Sequence, residues 1–346
     1  MRDLLFFITE DVSVWGRINK ISNQKLQPLV QSLPNVIMSA HAKSTVSKYK
    51  SAWRKWTDWV NTYDELNLLP PDPVTVALYF TYIVEEQKKL GYLTAAYCGI
   101  KWGYSLLGVS SPTDNKFVKL AYEGAHRLIA QRQGPANNRK EHLTPEILKE
   151  IIYEFGTTGN LLDLRFALVC ILGFFGFFRI SELLIVQIKD ITFCDEGVDI
   201  FIDHSKVDQK RKGETVPIAK SNSPYCPVLW LKKYLRSADL FQKKEAFLVC
   251  RLFKTKNGHI VKSGKNISYT TIRKEFLTKM SKIVKNPTIF GTHSMRSGGA
   301  TCASESGVPD RLISKHGRWS SNTSRDKYIR DSSKTKFSVT KRMKLI

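Results

Sequence analysis

No pair of cysteines in this chain is spaced to grip a zinc ion. The six cysteines stand singly at 98, 170, 194, 226, 250 and 302, with no Cys-x-x-Cys pair and no histidine at ligand spacing. Cys98 and Cys170 lie in apolar helical stretches and read as small hydrophobes. A reduced, intracellular setting is therefore expected. Long apolar runs are also missing. The longest, Phe166 to Phe178, is too short to span a bilayer, and Arg179 follows it directly. The apolar patch Leu4-Leu-Phe-Phe-Ile8 is too short for the core of a secretion signal, and Glu10 and Asp11 follow it. Acid is scarce: 31 Asp+Glu stand against 54 Lys+Arg, a net charge of +23. With a membrane disfavoured, that excess points to nucleic acid as partner. It also points to the nucleus if the source is eukaryotic, and otherwise to the cytoplasm or nucleoid. Lys341-Arg-Met-Lys344 is a short basic cluster of the kind usually found in solvated tails.

What is present is a chain of 346 residues, 42% hydrophobic, which is enough for two domains with buried cores. Residues 1–40 are poorly patterned around Pro34 and Ser22-Asn-Gln24 and are expected to form a loosely packed arm. From Ser44 the recurrence of Val46, Tyr49, Trp53, Trp56, Val60 and Tyr63 predicts a helix. Asp72 before Pro73 predicts the start of a second. A third is expected over about 94–107 and a fourth over about 115–131, so that 41–132 forms a small helical bundle. The polar run Gln133-Gly-Pro-Ala-Asn-Asn-Arg-Lys-Glu141 reads as the linker, over 133–142.

Thr144 and Pro145 open the next domain as cap and first helical residue. A long buried helix is expected over about 161–184. Three short strands follow, near 190–193, 198–202 and 214–218, forming an antiparallel sheet. The rest is expected to be helical up to Tyr328, apart from a basic loop at 254–265, and 331–346 is a tail. The fold class is thus mainly α with a small antiparallel β-sheet: a helical bundle followed by an α+β domain over 143–330.

One set of residues carries chemistry. Arg179 lies in Phe178-Arg-Ile-Ser-Glu182, at the end of a strongly apolar stretch, where a guanidinium is costly unless an anion pairs with it. Either a structural pair with Glu182, one turn away, or a bound anion would serve. His293-Ser-Met-Arg296 places two polar side chains on one helix face, and the small run Ser297-Gly-Gly-Ala-Thr after it permits close helix packing. Trp319 stands nine positions before Tyr328, in Trp319-Ser-Ser-Asn-Thr-Ser-Arg-Asp-Lys-Tyr328. Such a set, with a phenol and two guanidiniums, suits attack on a phosphodiester.

In this order and spacing the chain resembles the tyrosine recombinases, which include phage integrases and the Xer-type and Cre-type enzymes. The resemblance covers about 43–330. It is specific in the second domain and rests on helix count in the first. It implies that Tyr328 is the nucleophile, with Arg179 and Arg296 holding the phosphate and stabilising its transition state. It further implies that Trp319 donates one hydrogen bond to a phosphate oxygen, and that His293 moves a proton or holds the phosphate. Lys206, on the hairpin between the second and third strands, is the implied general acid, although Lys210 and Lys212 share its loop. His316 falls at the wrong spacing and is left out.

The implied product is a 3′-phosphotyrosyl link with a free 5′ hydroxyl, made without metal, cofactor or ATP. The implied partner is double-stranded DNA, bound by a homotetramer on two sites, with a dimer on each. Lys48, Lys55 and Lys101 of the bundle are candidate phosphate contacts. The Trp at the His/Trp position, the N-terminal arm and the basic 254–265 segment lean toward a eukaryotic mobile-element recombinase of the Crypton type. A type IB topoisomerase would share this chemistry. A domesticated DNA-binding protein that kept the fold without the activity is the other alternative.

Overall fold

The computed structural model describes residues 14–134, 139–203, 213–256 and 258–343. The chain divides into two compact units, residues 1–137 and 138–346.

The first unit is helical: α1 (Val14–Asn19), α2 (Gln27–Met38), α3 (Lys43–Val60), α4 (Pro73–Glu85), α5 (Leu90–Leu107) and α6 (Lys116–Gln133). The start of α4 is fixed as its sequence suggests, with Pro73 in the first turn and the Asp72 carboxylate accepting from the amides of Val74 (3.1 Å) and Thr75 (2.9 Å). Helix α3 packs along α5, and α4 along α6. Trp53, Trp56, Val60, Tyr79, Phe80, Ile83 and Ile100 are buried between them. Aromatic contacts fill this core, among them Trp56 with Tyr79 at 5.1 Å and Trp53 edge-on to Tyr104 at 5.2 Å.

The expected loose arm is corrected in part: its described portion is two helices. Trp15 is buried and its indole donates to the Leu106 carbonyl at 2.7 Å, which fastens α1 to the bundle. Helix α2, in contrast, has no buried residue, and Leu29 and Val36 stand exposed.

The second unit is built around α8 (Leu161–Phe175), which is buried on nearly every side. Helices α7 (Pro145–Gly156), α10 (Pro227–Ser237) and α12 (His293–Glu305) pack against it, while α9 (Ile180–Leu183) follows it in the chain. Thr144 caps α7 by accepting from the Ile147 amide at 3.3 Å. Strands β1 (Ile191–Phe193), β2 (Gly197–Ile202) and β3 (Glu214–Ala219) form the antiparallel sheet, with β2 in the middle. The register pairs Val198 with Ile218 and Ile200 with Val216, so one face of the sheet turns these side chains into the core. Helices α11 (Tyr269–Met280), α13 (Asp310–His316), α14 (Asn322–Asp326) and α15 (Ser333–Lys341) complete the unit. Among the described residues no helix is long and apolar enough to cross a membrane.

Two expectations are corrected here. The buried helix stops at Phe175, where a break at Gly176 and Phe177 separates it from α9. Phe177 takes a left-handed φ of 47°, and its carbonyl is used by two buried arginines rather than by a helix. The basic segment near 254–265 is a hairpin, β4 (Cys250–Thr255) with β5 (Gly258–Asn266), turning at left-handed Gly258. Between its lysines lie Ile260 and Val261, which supply the strand character.

Candidate active site

Helix α12 carries both His293 and Arg296. It can lie close to its neighbours because Gly298 and Gly299 follow. A Cβ at Gly298 would lie 1.9 Å from the Leu143 carbonyl oxygen, and one at Gly299 would lie 1.9 Å from that of Phe174. A side chain at Gly299 would force the helix off α8, and one at Gly298 would force it off the segment that leads into α7. The segment bearing Tyr328 is fastened to the same helix. Ser297 Oγ donates to the Tyr328 carbonyl, and the Arg330 amide donates to Thr301 Oγ1 at 3.0 Å. One helix therefore positions the H-x-x-R pair and the tyrosine together.

Arg296 is fully buried, and its guanidinium lies 4.5 Å from the centre of the Trp319 ring and 5.0 Å from that of Tyr328. It donates to the carbonyls of Phe177 and Gly317, which leaves its Nε without a partner. The rings of Trp319 and Tyr328 are 5.2 Å apart, and exposed His293 faces Tyr328 at 6.1 Å. Trp319 is buried, and its Nε1 has no hydrogen-bond partner, a vacant donor of the kind a phosphate oxygen would satisfy.

Arg179 precedes α9 and donates to Glu182 Oε1 at 2.6 Å. The structural pair weighed from the sequence is thus present, and it sits within the site. Glu182 is 1% exposed and also holds Arg318, at 2.9 Å from Oε2, with Arg296 at 3.9 Å. Burial pushes the Glu182 carboxyl up. Arg318, the Arg179 amide and the charges of Arg179 and Arg296 outweigh this and hold it below the ordinary glutamate value. Burial presses on Arg296 in the opposite sense, and repulsion from Arg179 and Arg318 adds to it, so its hold on a proton is weakened. Guanidiniums keep their protons in proteins, so this penalty amounts to a demand for an anion. Three guanidiniums less one carboxylate leave two positive charges (3 − 1 = 2) at the site.

A cavity of about 560 Å³ opens over this set; Arg179, His293, Arg318, Trp319, Lys327 and Tyr328 line it, and so do Ser181, Tyr269 and Thr292. Of the residues singled out from sequence, the structure brings together Arg179, His293, Arg296, Trp319 and Tyr328. Lys206 falls between Ile202 of β2 and Glu214 of β3, outside the described residues, as do Lys210 and Lys212. His316 bonds the Phe175 carbonyl at 2.8 Å and packs on Phe177 at 4.7 Å, and it does not line the site cavity.

In the first unit Lys48 and Lys55 lie on one face of α3 beside a shallow recess with Ser51 and Tyr92. Lys101 is instead paired with Asp114 at 2.6 Å, which makes it a weaker candidate for a phosphate contact. Sequence reasoning missed Arg318. Its only local signal is a charge wedged between Gly317 and Trp319.

A helical unit followed in the chain by an α+β unit, with two arginines, an H-x-x-R histidine, an indole and a tyrosine gathered at one site, defines the class: a tyrosine recombinase. The model of the phage integrase family matches residues 141–335, more than half of the chain, and the chain belongs to that family. An integrase/recombinase XerD homolog of Selenomonas ruminantium is 26% identical over 292 residues, covering 83% of this chain and 82% of that protein. Solved structures share the fold. The XerH site-specific recombinase in a post-cleavage complex with palindromic difH substrate superposes with TM-score 0.61 at 14% identity, over 99% of this chain and 93% of that one. The Tn1549 transposon integrase with transposon right-end DNA gives 0.54 at 14%, over 85% and 92%. A lambda integrase dimer on a COC′ core site gives 0.51 at 15%, over 85% and 90%.

Proposed function

We propose that this protein is a site-specific DNA recombinase that cleaves and rejoins duplex DNA through a 3′-phosphotyrosyl intermediate, without metal or ATP. The observation that carries the reading is the buried Arg296 guanidinium set against both Trp319 and Tyr328, with Arg179 lining the same cavity. The scissile phosphate lies over this pair of arginines. Free phenols ionise near pH 10 and attack weakly at neutral pH, so His293 assists by taking the Tyr328 proton as its Oη attacks phosphorus. The P–O5′ bond breaks, and Lys206 protonates the leaving oxygen. Arg179, Arg296 and the Trp319 N–H stabilise the charge on the non-bridging oxygens. The new ester preserves the energy of the bond it replaces, so no ATP enters. A 5′ hydroxyl from a second duplex then reverses the reaction and exchanges strands.

Several relatives are described as bound to substrate, core-site or transposon-end DNA, and one as a dimer on its site. These support duplex DNA as ligand and a dimer per site; exchange between two sites would then bring two such dimers together as a tetramer. The transposon and phage relatives also support a mobile-element origin.

The test is a nicked suicide duplex, from which the cleaved strand diffuses away, incubated with the full chain in EDTA. A protein–DNA adduct that survives denaturant and is lost in Tyr328→Phe is expected. An adduct that forms only with added magnesium, or persists in Tyr328→Phe, contradicts the mechanism. Relaxation without exchange between paired sites would indicate a topoisomerase.

A further inference from the structure

We propose that Arg318 is a positioning residue that works through Glu182 to keep Arg179 and Arg296 aimed at the scissile phosphate, an inference that rests on the recombinase reading above. Arg318 has a φ of 55°. That left-handed conformation is where glycine is the ordinary occupant and a larger residue is strained. The backbone alone would be better served by glycine, so the reason for arginine lies in its side chain.

That side chain is 4% exposed although it borders the cavity. One terminal nitrogen donates to the carbonyls of His316 (2.8 Å) and Gly176 (3.3 Å); the other donates to the Phe177 carbonyl and to Glu182 Oε2, both at 2.9 Å. The guanidinium also lies over the Phe178 ring, at 5.2 Å. Its terminal nitrogens are occupied by protein, as are those of Arg296, but of the two only Arg318 bonds Glu182 directly, which makes it a partner of that carboxylate.

Its effect is on how Glu182 is shared. Oε1 takes the Arg179 guanidinium at 2.6 Å, Oε2 takes the Arg179 amide at 2.8 Å and Arg318 at 2.9 Å, and Arg296 waits at 3.9 Å. With Arg318 gone, Oε2 keeps only the Arg179 amide, and its remaining lone pair can close on Arg296 and draw that guanidinium off the phosphate. The carboxylate would also lose its strongest charge partner and hold a proton at higher pH. The charged groups around Glu182 are Arg179, Arg296 and Arg318, with Glu214 and His316 close to Arg318.

The experiment is single-turnover cleavage of the suicide duplex by the full chain across about pH 5 to 9, with wild type, Arg318→Gly, Arg318→Met and Arg318→Lys. Melting and duplex affinity are measured on each. Arg318→Gly relieves the backbone strain, and Arg318→Met repeats the loss of charge without adding backbone freedom. Both are expected to bind duplex as wild type does and to cleave it about 10²-fold more slowly, the scale of an ångström-level misplacement. In both, the acid limb of the pH profile moves to higher pH. Arg318→Lys keeps the wild-type acid limb and recovers part of the rate. An unmoved acid limb with wild-type rates in Gly and Met overturns the inference. So do equally slow rates in all three variants with no shift of the limb, which would mark a merely structural residue. Failure of wild type itself to form an adduct would overturn the recombinase reading and this inference with it.

Discussion

Replacing Glu182 with glutamine removes a negative charge buried among three guanidiniums, while keeping the shape of the side chain. In the wild type that carboxylate lies 2.6 Å from Arg179, 2.9 Å from Arg318 and 3.9 Å from Arg296. Breaking a buried ion pair from one side costs about 3–5 kcal/mol, because the surviving charge is left uncompensated. For a unit the size of 138–346, each kcal/mol shifts the melting temperature by about 2–4 °C. A fall on the order of 6–20 °C is therefore expected at neutral pH, read by calorimetry on the full chain.

The sign with pH follows from the direction of the Glu182 shift, which is downward. The folded carboxylate holds its proton less tightly than the unfolded one, so its stabilisation is fully present above the ordinary glutamate value of about 4.3. It is lost as pH falls through the lower folded value. Protonated Glu182 resembles glutamine, so the gap between wild type and Glu182→Gln should close in acid. A difference below about 0.5 kcal/mol at neutral pH, within the range of ordinary surface changes, would refute the reasoning. A gap that does not narrow with acid would refute it as well.

Trp319→Phe keeps an aromatic ring against Arg296 but removes the unpartnered indole N–H. Single-turnover cleavage should slow by about 10²-fold, as for loss of one preorganised donor, with duplex affinity unchanged. Lys48→Ala and Lys55→Ala should each weaken duplex binding and reduce the salt slope by about 0.9. Lys101→Ala, whose ammonium is held by Asp114, should change both less; fluorescence anisotropy over a salt series measures this. Trp56→Ala, at a fully buried position in the first unit, should cost about 3–5 kcal/mol in chemical denaturation.

The candidate site was legible because its signals are local. His293 and Arg296 are one helical turn apart, and Trp319 and Tyr328 keep a fixed spacing, so sequence order alone implies their convergence. The caps at Asp72 and Thr144 were legible for the same reason. What escaped reading depends on distant partners. Ile180, Leu183 and Leu184 continue the apolar pattern of α8, yet the helix stops before them. The carbonyl of Phe177 turns to Arg296 and Arg318, more than a hundred residues away. Arg318 itself looked like one more cation in a basic chain, and nothing local signals its left-handed backbone or its bond to Glu182. The β4–β5 hairpin was hidden by lysines, whose charge suggested a solvated loop while Leu252 and Val261 pair across the strands. The arm was misjudged at Trp15, because its anchor is a carbonyl of α5, 91 positions on.

The most direct test of the central claim is to locate the covalent bond. The adduct trapped on a suicide duplex is digested with nuclease and protease, and the modified peptide is sequenced by mass spectrometry. The 3′ phosphate of the cleaved strand is expected on Tyr328, with an unmodified 5′ hydroxyl on the released strand. A nucleotide on any other residue, or a 5′ phosphate linked to the protein, would contradict that claim.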